Sequence, residues 1–399
     1  MNPPSLLQIV ERLESLAGKL PSKIQKPVLS ELTPLKQLFL QQRPPRFLFC
    51  GSTKISLGEL INTLFFSAYS TRASDVPFTA PRWCDFSVPE RGTISVLDAR
   101  AAGDSVAVQV QNELNDQGAD IIFLLNDGQI AHEAEKRDLD DLIRCLAWNK
   151  TDGAGPKVIG IIIPPPEQAI AFDETNLSIF RLQSALRSNL PIREHLLEVL
   201  GLPSVDRDDA LEIPQPEAQR LMSILTRELP NEARMEMIRI SRNREAERQV
   251  AQMLVKSTTA ICAAIGAQPI PLADLPILTS LQLMMISGIM YVSGRERSVR
   301  AAAEFIGALG ANVGAAVLLR EGIRAMLKFF PGWGNVVCGL VAGSATYAIG
   351  RAATAFFVEG VSLKDARRTY LTGRKKRARL ALTVANNGAR PENDRAAPR

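Results

Sequence analysis

Histidine and cysteine are scarce, with two of the first and five of the second among 399 residues. The cysteines (Cys50, Cys84, Cys145, Cys262, Cys338) form an odd set with no CxxC and no tight spacing, and only His132 and His195 could join them. A structural zinc site needs four N or S donors in short-range pairs, and a disulfide framework needs clustered cysteines in even number. The pattern favours neither. Aromatic residues make up 6% of the chain and do not interleave with its basic residues, as they would on a nucleic-acid-binding face. An unbroken apolar leader is missing too: Glu11 and Glu14 interrupt the first stretch, which is not the pattern of a secretory signal peptide. The simplest compartment is a reducing one, the cytosol or the cytosolic side of a membrane.

What the chain does have is an ordinary globular composition, 46% hydrophobic and 22% charged, with its charge distributed unevenly. Residues 361–399 hold eleven Lys or Arg against Asp365, Glu392 and Asp394, a balance of +8, which leaves −3 for everything upstream. The net charge of +5 therefore belongs to a tail. Sequence-specific nucleic-acid binding is not expected.

Residues 1–45 show helical spacing of apolar positions (Leu6, Ile9, Val10, Leu13, then Val28, Leu32, Leu35), with Pro44 and Pro45 as a stop. From Arg46 short, strongly apolar runs alternate with helix-like segments. The runs are Phe47–Cys50, Thr93–Leu97, Ala119–Leu125 and Lys157–Ile163; between them lie Leu60–Phe66, Val106–Leu114 and Asp138–Ala147. This is the pattern of a mostly parallel sheet with helices on both faces, an α/β domain over 46–202. Residues 203–256 are charged and helix-prone and read as a connecting arm. Residues 257–362 are almost free of charge and predict an all-α apolar domain. Residues 363–399 form a basic, partly disordered tail.

The first strand runs into Gly51-Ser-Thr-Lys54-Ile-Ser56-Leu57-Gly58 and then the helix Leu60-Ile-Asn-Thr-Leu-Phe65. Strand, loop and helix in this order are where a phosphate-binding loop sits, and the segment resembles that of Era-like GTPases. The family's GxxxxGK[ST] chemistry uses glycines to let amides wrap the phosphates, a lysine as point charge and a hydroxyl for Mg²⁺. Here Gly51 remains, Ser56 replaces the second glycine, Leu57 the lysine and Gly58 the hydroxyl. Each charge-assisted contact is worth about 1.5–3 kcal/mol, so losing two weakens nucleotide binding by orders of magnitude. Lys54 lies inside the loop as a possible anion contact. Leu97-Asp98-Ala99-Arg100-Ala101 resembles the DxxG switch element, with Asp98 as the metal-facing acid. Thr79 is a weak match to the switch-I threonine. Asn149-Lys150-Thr151-Asp152 matches NKxD literally but precedes a strand instead of following one, and reads as coincidence. Pro164-Pro165-Pro166-Glu167 stands where the family would read guanine. The resemblance further implies a sixth strand at Leu177–Gln183, with Ser184 and Ala185 at its end as the SA loop and a helix over Ile192–Leu200.

Downstream, Pro269-Ile-Pro-Leu-Ala-Asp274, Pro331-Gly-Trp333-Gly and Tyr347-Ala-Ile-Gly-Arg351 resemble the YcjF-related domain of unknown function found behind Era-like GTPase domains in bacteria. That resemblance implies the domain order and a link to membranes in part of the family, and no reaction. Leu275–Gly294 and Phe329–Gly350 have the ~20 residues a bilayer crossing needs, though prolines, Asp274 and Gln282 dilute them. Gly310 with Gly314, and Gly339 with Gly343, would let helices approach closely. Asp274 suits a helix N-terminus.

The expectation is a GTPase-like scaffold or regulatory protein that has lost nucleotide hydrolysis and couples a G-like domain to a membrane-associated helical domain. Its vestigial site comprises Gly51, Lys54, Asp98, Ser184 and Ala185, with no catalytic residue, metal or cofactor. It would work on the cytoplasmic side of a membrane, peripheral or integral, against a membrane surface or an apolar protein partner. Two alternatives stay open: an Era-like GTPase that binds GTP and Mg²⁺ through unconventional contacts, and an integral membrane protein with a regulatory soluble domain.

Overall fold

The computed structural model describes residues 25–26, 29–30, 42–66, 81–88, 91–100, 104–129, 132–150, 155–164, 172–202, 216–267, 274–309 and 334–373. The chain divides into two compact units, residues 42–243 and residues 1–41 with 244–399. Thr79, Ala101–Gly103, Thr151, Asp152, Pro165–Glu167, Gly310, Gly314 and Trp333 lie outside the described residues.

The first unit is built on a six-stranded sheet in the order β2-β3-β1-β4-β5-β6. Its strands are β1 (Arg46–Gly51), β2 (Cys84–Val88), β3 (Gly92–Asp98), β4 (Ile121–Asn126), β5 (Lys157–Ile162) and β6 (Leu196–Gly201). All neighbours are parallel except β2, which runs antiparallel along β3. Successive strand side chains point to opposite faces, and β1 divides accordingly. Phe47 and Phe49 enter one core and Leu48 and Cys50 the other, all four fully buried. The Phe47 face is covered by α1 (Leu57–Ile61), which continues into a π-helical turn (Asn62–Phe66), and by residues of α6 (Pro216–Glu228) and α7 (Asn231–Ser241). The Leu48 face is covered by α2 (Asp104–Asp116), α3 (His132–Trp148), α4 (Phe172–Ser188) and the short α5 (Leu190–Arg193). Helices on both faces of a mostly parallel sheet make this a G-domain-like core.

Two expectations are corrected here. Residues 177–183 are not the sixth strand; they lie inside α4. Residues 192–200 do not form a helix, for β6 occupies Leu196–Gly201 beside β5. The 177–183 segment is short and rich in apolar residues, but Ile179, Leu182 and Leu186 recur at helical spacing and pack onto the sheet. Leu177 and Phe180 are left 60% and 67% exposed.

The lower end of the sheet is tied by side chains. Asp120, just before β4, accepts both arms of the Arg43 guanidinium at 2.6 and 2.7 Å and the Arg46 amide at 2.9 Å. Asn149 accepts from the Ala119 amide at 2.7 Å and donates to the Ala119 carbonyl at 3.2 Å.

The second unit is helical: α8 (Arg244–Gly266), α9 (Asp274–Val292), α10 (Val299–Leu309), α11 (Gly334–Phe357) and α12 (363–373). Of the charged stretch 203–256, α6 and α7 belong to the first unit and α8 to the second. α8 buries Val250, Leu254, Ile261 and Ile265 along one stripe, the spacing of an amphipathic helix. α11 lies against it through glycines: a Cβ at Gly339 would stand 2.7 Å from the Ala263 carbonyl, and one at Gly343 would stand 2.9 Å from the Ala263 Cβ. The close approach read from the Gly339–Gly343 spacing is therefore present. Gln282 of α9 donates to Thr346 Oγ1 of α11 at 3.0 Å, so a polar pair lies between apolar helices. α9 begins at Asp274. Among the described residues, no helix is long and apolar enough to cross a membrane.

Candidate functional site

The carboxyl ends of β1, β3 and β4 converge on the loop 51–56, the edge at which open α/β sheets bind ligands. Gly51 has φ +96°, and a Cβ there would stand 2.3 Å from the Leu125 carbonyl, so only glycine fits the turn. Two amides of the loop are already engaged within the protein. Ser52 N–H donates to the Leu125 carbonyl at 2.8 Å, and Lys54 N–H donates to Ser52 Oγ at 3.4 Å. Ser56 caps α1, its Oγ accepting from the Glu59 amide at 3.4 Å. Leu57, at the lysine position of the GTPase pattern, is 2% exposed and part of the sheet core.

Lys54 does not point at open space. Its Nζ lies 2.9 Å from Asp127 Oδ2 and donates to Gln129 Oε1 at 2.9 Å. Both partners sit in consecutive Asx turns after β4: Asn126 Oδ1 accepts from the Gly128 amide and Asp127 Oδ1 from the Gln129 amide. The ammonium is well exposed, so the pair contributes at most about 1 kcal/mol, and it still directs the lysine away from the loop.

Asp98, at the end of β3, is held by a residue the motif reading passed over. Arg100 donates Nε to Asp98 Oδ1 and Nη2 to Oδ2, each at 2.8 Å, and its amide donates to Oδ1 at 3.1 Å. Its remaining arm, Nη1, donates to the Ile55 carbonyl in the loop. Both side chains are largely buried, 11% exposed for Arg100 and 14% for Asp98. A bidentate arginine–carboxylate fork is among the strongest side-chain contacts. Here it neutralises Asp98 and joins it to the loop.

Ser184 and Ala185 do not join this group. Both lie in α4, where Ser184 Oγ donates to the Phe180 carbonyl one turn back at 2.8 Å. Asn149 sits at the opposite end of the sheet, bonded to Ala119 before β4. Of the five residues singled out from the sequence, the loop region therefore brings together Gly51, Lys54 and Asp98, and Arg100, Asp127 and Gln129 complete it.

Acidic side chains line the neighbouring end of α3. Burial first, then the carboxylates of Asp141 and Asp127, push Asp138 up from 3.8 to about 6, with Arg137 acting in the opposite direction. A carboxyl group raised in the folded state is harder to ionise there than in the unfolded chain. Its burden on stability is absent below about pH 4, grows between about pH 4 and 6, and is complete above. Asp138→Asn removes it. The full difference is about 3 kcal/mol, reduced to about 1 by solvent screening at this half-exposed position. Urea midpoints of the two proteins should therefore converge at pH 4 and separate in favour of the variant at pH 7.

Burial raises three thiols: Cys50 well above its ordinary value, and Cys145 and Cys262 each to about 12. They are protonated and inert at neutral pH. Among the described residues, no group of three or more His, Cys, Asp or Glu side chains is placed to hold a metal ion.

Two solved structures are similar to this chain at a low level. One is a dimerization-deficient variant of Toc33 from Arabidopsis thaliana, 14% identical, covering 57% of this chain and 96% of its own, with a TM-score of 0.33. The other belongs to an oligomerised bacterial dynamin pair, described as a mechanism for long-range sensing and tethering of membranes. It is 11% identical, covering 95% of this chain and 74% of its own, with a TM-score of 0.34. No family model matches the chain, and neither does any curated protein. The Era-like and YcjF-related resemblances have no family-level match behind them.

Proposed function

We propose that this chain is a GTPase-like scaffold in which the phosphate-loop position is closed by the protein's own side chains, and that its helical unit associates with a membrane surface or an apolar protein partner. One observation carries the first half: the Arg100 guanidinium occupies both oxygens of Asp98 and the Ile55 carbonyl. Guanine nucleotide with Mg²⁺ does not suit these residues. The acid that would face the ion is already paired, the lysine position is a buried leucine, and two loop amides are spent inside the protein. Binding would require breaking the fork and leaving a largely buried charge without a partner, a cost of about 3–5 kcal/mol. No hydrolytic step is assigned.

Calorimetric titration of the full-length protein with GTP and with GDP in Mg²⁺ is the test. The expected result is no saturable heat at micromolar nucleotide. Micromolar binding of either nucleotide, abolished by Asp98→Ala, would overturn the proposal in favour of a GTPase with unconventional contacts.

A further inference from the structure

The basic end of the chain begins on a described helix. α12 opens with a serine N-cap: Ser362 Oγ accepts from the Asp365 amide at 3.2 Å and donates to Asp365 Oδ2 at 2.6 Å. The helix turns back onto α11, and a Cβ at Gly373 would stand 3.7 Å from Ala348 Cβ. Its inner side buries Ala366 completely.

The outer side is unusual for a solvent-facing helix. Leu363, Arg367 and Leu371 follow one another four residues apart, and Lys364 and Arg368 form the adjacent row, so all five share one face. Leu363 is 40% exposed and Leu371 42%, while Lys364 and Arg368 are exposed beside them. Among the described residues none of the three cations takes part in an ion pair, and the one acid of the helix, Asp365, is engaged with Ser362. The sequence then continues through Arg374, Lys375, Lys376, Arg377 and Arg379 without an intervening acid.

We infer that α12 is a membrane-docking element that lies against the headgroups of an anionic leaflet, its two leucines entering the interface and Lys364 and Arg368 beside them facing acidic lipid phosphates. Charge complementarity selects the partner: eight cations against one acid over residues 363–379 match a surface of dense negative charge. The leucines select lipid over nucleic acid, since an apolar side chain beside a basic row gains from an acyl boundary and nothing from a phosphate backbone. The inference rests on the membrane half of the function proposed above and names the surface that carries it.

The test is sedimentation of the full-length protein with vesicles of phosphatidylcholine alone or mixed with phosphatidylserine, at low and high salt. Wild type should bind the mixed vesicles, lose binding at high salt, and bind neutral vesicles weakly. Lys364→Gln with Arg368→Gln should lower partitioning about 30-fold, and Leu363→Ser with Leu371→Ser several-fold. All four positions are exposed, so the fold should tolerate both variants, and circular dichroism checks this. Equal binding to neutral and mixed vesicles overturns the inference. So does wild-type binding to mixed vesicles that both variants retain, although the membrane reading then survives. Binding to neither vesicle overturns the inference and that reading together. Tighter association with duplex DNA than with mixed vesicles, unchanged in the leucine variant, replaces the lipid by nucleic acid and overturns it as well.

Discussion

Gly51→Ala is expected to destabilise the first unit by about 3 kcal/mol, measured by urea denaturation followed by circular dichroism. Two costs combine. A left-handed residue with a Cβ is disfavoured by about 1–2 kcal/mol, and Gly51 has φ +96°. The new carbon would also stand 2.3 Å from the Leu125 carbonyl, which already accepts the Ser52 amide at 2.8 Å. Moving the strands apart to relieve the contact lengthens that hydrogen bond, a further ~1 kcal/mol. A change below about 0.5 kcal/mol would mean that the loop leaves β1 by another path. The result does not depend on any ligand, so it tests the local geometry and not the proposed function.

The helical unit should respond as strongly to Gly343→Leu, losing about 3 kcal/mol. A Cβ at this position would meet Ala263 Cβ at 2.9 Å, and an alanine on a facing helix has no rotamer into which it can withdraw. Overpacking of this kind costs about 1–3 kcal/mol, and a branched side chain between two helix backbones lies at the upper end. Gly307→Ala in α10 is the internal control. Nothing lies within 4 Å of a Cβ at Gly307, so the substitution removes only glycine's helix penalty and should stabilise by up to about 1 kcal/mol. Thermal unfolding of the three proteins gives the comparison. Equal effects of the two substitutions would show that α11 and α8 are not in close contact.

Central strands were legible because parallel strands covered on both faces leave no room for polar side chains. β1, β4 and β5 are nearly continuous apolar runs. The edges were not. β2 carries Asp85 and Ser87 on its exposed side, and β6, although largely apolar, directly follows the short helix α5, so its start is not marked in the sequence. α4 is not legible from Leu177-Ser-Ile-Phe-Arg-Leu-Gln alone, because a short apolar run fits strand or helix and the packing of Ile179, Leu182 and Leu186 on the sheet decides it. At the site, Gly51 and Asp98 followed from the order strand, loop, helix. The partners of Lys54 did not, because Asp127 and Gln129 lie more than seventy residues away and meet the loop only once β1 and β4 pair.

In the function proposed above, the Arg100–Asp98 fork stands in for an ion and nucleotide and differs in kind from them. A counter-ion covalently attached to the chain has a fixed local concentration, which neither a chelator nor the supply of divalent metal can change. On the proposed function, loop 51–56 carries no timer: nothing has to be loaded for its shape to form, and nothing is consumed while it lasts.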